Sequence, residues 1–315
     1  MKYPLLSILI INWNSKEYVK KCLESVFQYC SDFDPHIVVV DSGSFDGCEE
    51  MIATEFPGVE FVQSKKNLGF GKANNLGFKR VCSEYLLLLN PDTELRQNTV
   101  NRMLNVFERF SDVGIVGPRI LNTDGSLQKS CVRALPSPLN QAIDCDFMRK
   151  MFPKSKLWHT YEAFSAKEPI EVPAVSGACM LLKSELYKRI GGFSPDFFMY
   201  AEDMDLCFRV RRMGLKIYHV PNAVVVHHGG GSSEKRVSSF SILHMREATY
   251  TYMLKNHGPY KAGLYRFLQG VSALIRMGIM LPLIHFSQDV QNVSLRYSFQ
   301  KWKIILRWVL KIDSP

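Results

Sequence analysis

The chain has 315 residues, 46% of them hydrophobic, and a formal charge of +9. That is enough chain for one large domain or two with a sizeable core, and the ordinary composition excludes disordered, collagenous and low-complexity classes. The charge is uneven: from Val237 to Pro315 ten Lys and Arg stand against three Asp and Glu, an excess of seven, so the first 236 residues carry only +2.

The chain opens on "YPLLSILIIN", too short and too weakly basic in front for an export signal, and it reads as a first strand. "KEYVKKCLESVFQYC" follows as an amphipathic helix with Tyr18, Val19, Cys22, Leu23, Val26 and Phe27 on one face. "HIVVVD" is a second strand, "SGSFDG" a turn, "CEEMIATEF" a helix and "VEFVQS" a third strand. The helix "GFGKANNLGFKRV" and the strand "EYLLLLN" complete four alternations, and "TVNRMLNVFERF" with "VGIVGPRIL" continues them. Strict alternation predicts βαβ units and an α/β domain with a mostly parallel sheet flanked by helices. Residues 125–172 carry several prolines and weak periodicity, the pattern of a long loop or lid. "AVSGACMLLKSELYKRIGGF" reads as strand, helix and Gly-Gly stop, and "AEDMDLCFRVRRMG" as a helix ending at Gly214. "LKIYHVPNAVVVHHGGG" holds two short strands, and beyond about residue 237 the pattern is helical. Eight cysteines are scattered without any CxxC pair, which argues against a zinc site and for reduced thiols in a cytosolic compartment.

Polar residues cluster where strands end: Asn12-Trp13-Asn14, then Asp41, then Asn90-Pro91-Asp92. Four leucines run straight into that last triplet, and Pro91 cannot donate a ladder hydrogen bond, so the strand stops there. Each aspartate alone also fits a turn or a helix cap. A parallel sheet brings such ends to one edge, however, and that convergence favours a nucleotide and metal site.

Six blocks in order carry a resemblance: "SILIINWNSKEYVKKCLESV", "IVVVDSGSFDG", "NLGFGKANNLGF", "LLLLNPDTEL", "VSGACMLLKSELYKRIGGFSPDFFMYAEDMDLCFRVRRMG" and "VPNAVVVHHGGGSS". Together they are similar to glycosyltransferase family 2, its rhamnosyltransferase-like branch, over roughly residues 5–257. The resemblance implies a GT-A fold, a nucleotide-diphosphate sugar donor (dTDP or UDP), a divalent metal (Mg²⁺ or Mn²⁺) and inversion at the anomeric carbon. It implies a catalytic domain over 1–236, with the donor bound by about 1–125 and the acceptor by about 126–236, and a helical C-terminal region over 237–315.

Roles transfer by position. "NPD" occupies the place of the family's DxD motif, with Asp92 as the metal ligand and Asn90 departing from the fuller pattern. Trp13, with Asn12 and Asn14 around it, matches the aromatic that stacks on the base, and Asp41, with Ser42, the acceptor of the base N3–H. Asp46 fits the donor site and a turn before Gly47 equally well. Asn67, Gly69 and Lys72 fall in the segment lining the donor phosphates and sugar, where Gly69 and Gly71 allow close backbone approach. Glu202-Asp203 matches the family's acidic pair, with Asp203 as the catalytic base and Glu202 and Gly177 on the acceptor side. Arg209 reads as a donor-phosphate contact or as a partner of nearby acids, and Asp205 as a first-turn helix acid. His227 fits the position of a second metal ligand, and the glycine run followed by Ser232 and Ser233 reads as a loop that closes over the donor.

In the basic tail, Leu264, Phe267, Leu268, Val271, Leu274 and Ile275 keep helical spacing, while Arg266, Gln269 and Arg276 interrupt it and argue against a transmembrane span. "FQKWKIILRWVLK" mixes Trp302 and Trp308 with Lys301, Lys303, Arg307 and Lys311, as a helix lying in an anionic membrane surface does, or one packed on the domain or in a dimer. The expectation is a cytoplasmic enzyme, peripheral at the inner membrane face, with a saccharide or lipid-linked acceptor, no nucleic-acid partner, and oligomerisation left open. A nucleotidyltransferase forming nucleotide sugars is the alternative enzyme, but no Gly-rich, Arg-bearing loop follows the first strand. A non-catalytic binding protein leaves the acidic strand-end cluster without a purpose.

Overall fold

The structure is a computed structural model and describes residues 4–158, 160–229, 239–286 and 291–314. These residues form two compact units. The first takes the residues up to Leu135, Lys154–Phe198 and those described from Glu202 to 229; the second takes Pro136–Pro153, Met199–Ala201 and everything described from 239 onward.

The first unit begins with β1 (Leu6–Asn12), α1 (Lys16–Cys30), β2 (His36–Asp41), α2 (Cys48–Glu55), β3 (Glu60–Gln63), α3 (Phe70–Phe78) and β4 (Tyr85–Leu89). The chain continues through β5 (Thr93–Leu95), α4 (Thr99–Arg109), β6 (Val113–Leu121) and β7 (Val132–Arg133). In the second unit lie α5 (Pro138–Ile143) and α6 (Asp146–Met151), before the chain returns to the first as α7 (Tyr161–Ser165), β8 (Ile170–Val172), β9 (Ala174–Val175), β10 (Cys179–Lys183), α8 (Ser184–Arg189), α9 (Glu202–Arg212) and β11 (Lys216–His227). Three long helices complete the second unit: α10 (Ser239–His257), α11 (Pro259–Phe286) and α12 (Gln291–Val309).

Among the described residues one sheet runs β3-β2-β1-β4-β10-β6-β11-β5, with β8 also paired to β11. The run β3-β2-β1-β4 is parallel, as alternation predicts, but β10 enters antiparallel between β4 and β6, so the sheet is mixed. Helices cover both faces of its parallel part. Ile8, Ile10, Val39, Leu87 and Leu89 pack with the buried faces of α1, α2 and α4, while α3 lies against β1 and β2. A strand covered on both sides has no polar face, which explains the unbroken "LLLL" of β4. The two short strands expected in residues 216–227 are one long strand, β11. Its register against β6 slips between Val220 and Val224, where Pro221 cannot donate to the ladder.

In the second unit, Ser137 and Asn140 form a reciprocal capping box at the start of α5. The polar residues of α11 turn inward: Gln269 Nε2 donates to Gln141 O at 2.9 Å and Ser272 Oγ to Ala142 O at 2.8 Å. Arg266 lies 4.5 Å over the Trp308 ring and Arg276 4.4 Å over the Trp302 ring. These residues were expected to break up an apolar helix, and instead they leave its outer face clean. Leu264, Phe267, Leu274, Ile275, Ile279, Leu281 and Leu283 are all exposed. By length and composition Pro259–His285 is apolar enough to cross a membrane. The interfacial role expected of Trp302 and Trp308 is overturned. Both are buried, and Trp308 Nε1 donates to Glu247 Oε2 at 2.7 Å. Arg307 is likewise engaged, paired with Asp313 through both of its bonds at 2.8 Å.

Candidate active site

The parallel register sets Asn12 beside Asp41 at the carboxyl ends of β1 and β2, with Asn90 one residue past the end of β4. The expected convergence of these ends is therefore present. Asn12 is fully buried, and its Nδ2 donates to Asp41 Oδ2 at 2.6 Å and to Asp46 Oδ1 at 3.0 Å. Asp41 also accepts from Ser44 N (2.8 Å), the Ser44 hydroxyl and Gln63 Nε2 (2.8 Å). Burial works to raise the Asp41 carboxyl, but the bonds from Ser44, Gln63 and Asn12 outweigh it and hold the group below its ordinary range. Asp46 spends its oxygens on backbone donors at two helix starts, Lys16 N at 2.9 Å and Cys48 N at 3.3 Å, as a turn residue does. Trp13, 36% exposed, and Asn14, with φ 51°, lie beside this network with open surface in front.

Ser42 Oγ accepts Leu68 N at 2.9 Å, and Asn67 Oδ1 accepts Gly69 N at 2.9 Å, so the two residues shape the turn that leads into α3. Gly69 has φ 73°, and a Cβ there would sit 2.1 Å from Phe198 O. The glycine is required here by the close approach of the protein's own backbone at Phe198. Lys72 stands exposed in the first turn of α3.

The Asn90 turn is fixed by Thr93, whose hydroxyl donates to Asn90 O at 2.6 Å, and by Asn90 N, which donates to Ala178 O at 2.9 Å. Past Pro91, Asp92 lies with its Oδ1 3.1 Å from His227 Nε2 at the end of β11. Asn90 Nδ2 is 3.5 Å from the same nitrogen, and Asn90 Oδ1 is buried with no hydrogen-bond partner. No group of three or more His, Cys, Asp and Glu able to hold a metal ion exists among the described residues. The pair still fits a hard divalent cation. Two ligand atoms at right angles on bonds of about 2.1 Å stand about 3 Å apart, and such ions commonly take few protein ligands and complete their shell with substrate phosphate and water. An orphaned carbonyl oxygen next to the pair is a further acceptor for a metal-bound water.

Asp203, in the first turn of α9, is nearly buried; its Oδ2 accepts Gly177 N at 3.1 Å and its Oδ1 Met204 N at 2.8 Å. A Cβ on Gly177 would come within 3.2 Å of Asp203 Cβ, so this carboxylate lies directly over the glycine. Glu202 is buried with Oε2 unpartnered. Burial, with the Asp203 charge beside it, pushes its carboxyl well above the carboxylate range, so a protonated Glu202 relieves like-charge repulsion in the pair. Arg133, a residue that sequence reasoning missed, brings Nη1 to 3.9 Å from Asp203 Oδ2. The proposed phosphate contact of Arg209 is overturned. Its guanidinium is spent on Asp205 Oδ2 (2.7 Å), Ile190 O (2.9 Å) and Gly192 O (2.8 Å), which ties α9 to the end of α8. The glycine run with Ser232 and Ser233 lies outside the described residues, apart from Gly229. A pocket of about 280 Å³ lies away from these groups, lined by Phe107, Phe110, Val113 and Leu215 with Lys183, Glu185 and Arg189.

A mixed sheet flanked by helices, with Asn12, Asp41 and Asn90 gathered at its carboxyl edge and a second acidic pair hydrogen-bonded to the turn before β10, has the architecture of a GT-A type fold. The family model described as "Glycosyl transferase family 2" matches residues 7–191, and the chain belongs to that family. It is 26% identical over 284 residues to the N-acetylglucosaminyl-diphospho-decaprenol L-rhamnosyltransferase of Mycobacterium tuberculosis, covering 86% of this chain and 91% of that one. It is 22% identical over 264 residues to the rhamnosyltransferase WbbL of Escherichia coli, covering 80% and 93%. Among solved structures, the mannosyltransferase PcManGT from Pyrobaculum calidifontis, in complex with GDP-Man and Mn²⁺, shares the fold with TM-score 0.60 and 17% identity, covering 99% of this chain and 87% of that one. The chain is a glycosyltransferase.

Proposed function

We propose that this enzyme moves rhamnose or a similar sugar from a dTDP- or UDP-linked donor to a hydroxyl of a lipid-linked saccharide, inverting the anomeric carbon, in cell-surface polysaccharide synthesis. The observation that carries the reading is the placement of Asp203. Its oxygen holds Gly177 N, and the next residue, Ala178, holds Asn90 N, so the acidic pair and the Asn90–Asp92 turn share one rigid connection. The names of the rhamnosyltransferase relatives support the sugar and the lipid-linked acceptor.

In this reading Trp13 stacks on the pyrimidine and Asp41 receives the base N3–H, displacing the rotatable Ser44 hydroxyl from its oxygen. Asn12 and Gln63 keep Asp41 in place and ionised for that contact. Asp92 and His227 would hold a divalent cation, which would supply charge neutralisation at the leaving diphosphate. Asp203 takes the proton of the acceptor hydroxyl as that oxygen attacks the anomeric carbon from the face opposite the diphosphate. Protonated Glu202 lets its neighbour carry the negative charge of the pair, and Gly177 fixes the direction in which the charge points. The exposed apolar face of α11 seats on the cytoplasmic surface of a membrane and brings the enzyme to its acceptor.

The test is a donor panel of dTDP-, UDP- and GDP-sugars, read by protection against thermal unfolding with Mn²⁺ or Mg²⁺ and by transfer to a lipid-diphosphate saccharide analogue. A pyrimidine donor should protect in a metal-dependent way, and Asp92→Ala should abolish that dependence while the protein stays folded. Release of pyrophosphate without sugar transfer, or protection that ignores the metal, contradicts the reading.

A further inference from the structure

His227 is held on its other side as well. The residues after β6 fold back on its end: Gln128 N donates to Ile120 O at 2.9 Å and Asn122 N to Ser126 O at 2.8 Å. Four side chains of this turn then make a continuous series of hydrogen bonds. His227 Nδ1 lies 2.8 Å from Gln128 Oε1; Gln128 Nε2 donates to Asn122 Oδ1 at 3.1 Å; Asn122 Nδ2 donates to Ser126 Oγ at 2.8 Å; and Ser126 Oγ donates to Asp124 Oδ1 at 2.6 Å.

The last member dictates the direction of all the others. A carboxylate only accepts, so the Ser126 proton must point at Asp124. Bonds from Ser126 hold the Asp124 carboxyl below its ordinary value, so it is an acceptor throughout the neutral range. Ser126 Oγ, its own proton committed, must accept from Asn122 Nδ2, which turns Asn122 Oδ1 toward Gln128. That oxygen takes the Gln128 amide protons and leaves Gln128 Oε1, a pure acceptor, facing the histidine. Only Nδ1–H satisfies it. In a neutral imidazole with the proton on Nδ1, Nε2 carries a lone pair, and that atom is the one 3.1 Å from Asp92 Oδ1.

We propose that the Asn122–Gln128 turn is a tautomer clamp: Gln128, oriented through Asn122 and Ser126 by Asp124, fixes the proton of His227 on Nδ1 and presents the Nε2 lone pair to a divalent cation beside Asp92. The inference rests on the metal reading above for its purpose, but not for its chemistry. A ligating histidine is usually oriented by an acceptor on its other nitrogen, and loss of that partner typically weakens metal affinity 10–100-fold. Without the clamp the favoured neutral form is the opposite one, with Nε2–H donating to Asp92 and no lone pair left for a metal.

The experiment is ¹⁵N-histidine NMR of the full-length, metal-free protein at a pH where the imidazole is neutral, with His227 assigned from the signal lost in His227→Gln. The wild type should show the Nδ1–H tautomer. Gln128→Leu should move it toward Nε2–H, whereas Gln128→Glu keeps an acceptor and should restore Nδ1–H. Ser126→Ala and Asp124→Ala change exposed groups only. They should shift the tautomer in the same direction as Gln128→Leu without disturbing the fold. Mn²⁺ added to the wild type should broaden the His227 signals, and its affinity should fall on the order of 10–100-fold in Gln128→Leu but little in Gln128→Glu. An Nε2–H wild type that Mn²⁺ still broadens overturns the clamp and spares the metal site. An Nδ1–H wild type whose His227 ignores Mn²⁺ overturns the metal reading and the purpose of the clamp with it.

Discussion

The backbone N–H of Asn90 donates to the carbonyl of Ala178 at 2.9 Å. This single bond ties the turn that carries Asp92 to the strand entry whose other neighbour, Gly177, holds Asp203. The two acidic centres are thus tied to adjacent residues of one backbone segment.

Gly177→Ala should therefore disturb Asp203 specifically. The added methyl meets Asp203 Cβ at 3.2 Å and must push the carboxylate aside. A displacement of that kind should lower turnover on the order of 10–100-fold while donor protection in thermal unfolding stays as in the wild type. Loss of donor binding in this variant would mean that Gly177 shapes the donor site instead.

Much of this architecture was legible in the sequence because its signals are local. Alternating strands and helices, the polar ends at Asn12, Asp41 and Asn90, and the buried LLLL run all follow from period and turn chemistry. The antiparallel entry of β10 between β4 and β6 was not legible, because nothing local to "CMLLK" records the direction of its neighbours. Arg209 misled for a related reason. One basic residue on a helix face looks the same whether it meets phosphate or the carbonyl oxygens of Ile190 and Gly192, and only the tertiary contact decides. Gln128 carried no signal of its own, since its meaning comes from a histidine 99 residues away. The inward turn of Gln269 and Arg276 on α11 was not legible either. Polar residues at helical spacing mark a face, but not which side of that face is solvent.

Arg209→Ala should act on stability and not on donor affinity. Asp205 is fully buried, and removing the guanidinium bound to its Oδ2 breaks a buried ion pair, which costs up to about 3–5 kcal/mol. Urea unfolding should show a loss of about that size, while the dissociation constant of the nucleotide sugar stays unchanged in the folded protein. Wild-type stability with weakened donor binding would return Arg209 to the phosphate.

Glu202 gives a pH signature. Its folded carboxyl is raised above its unfolded value, so the stability it contributes is full below the ordinary glutamate range and is lost as pH rises toward the raised folded value. Between about pH 5 and about pH 7 the wild type should lose stability with a slope of up to about 1.4 kcal/mol per pH unit relative to Glu202→Gln, measured by urea unfolding. Identical slopes in the two proteins would place Glu202 in an ordinary ionised state.

The outer face of α11 should govern membrane binding more than the basic tail does. Leu274, Ile275 and Ile279 are exposed on it, whereas Trp302 and Trp308 are buried and Arg307 is paired with Asp313. Changing Leu274, Ile275 and Ile279 to Gln should weaken sedimentation with liposomes at least about tenfold, since burying each such side chain is worth about 1.5–3 kcal/mol. Transfer to a soluble acceptor analogue should be untouched. Lys303→Gln with Lys311→Gln should matter less, and only at low salt. Equal liposome binding by the apolar-face variant and the wild type would make that face a protein contact.

The most direct measurement is of Asp203→Asn, which keeps the shape of the side chain and removes its ability to take a proton. With a pyrimidine-diphosphate sugar and a soluble lipid-diphosphate saccharide analogue, turnover should fall on the order of 10²–10⁴-fold while metal-dependent donor protection stays at the wild-type level. Turnover within a few-fold of the wild type, or a parallel loss of donor protection, would contradict Asp203 as the base that activates the acceptor hydroxyl.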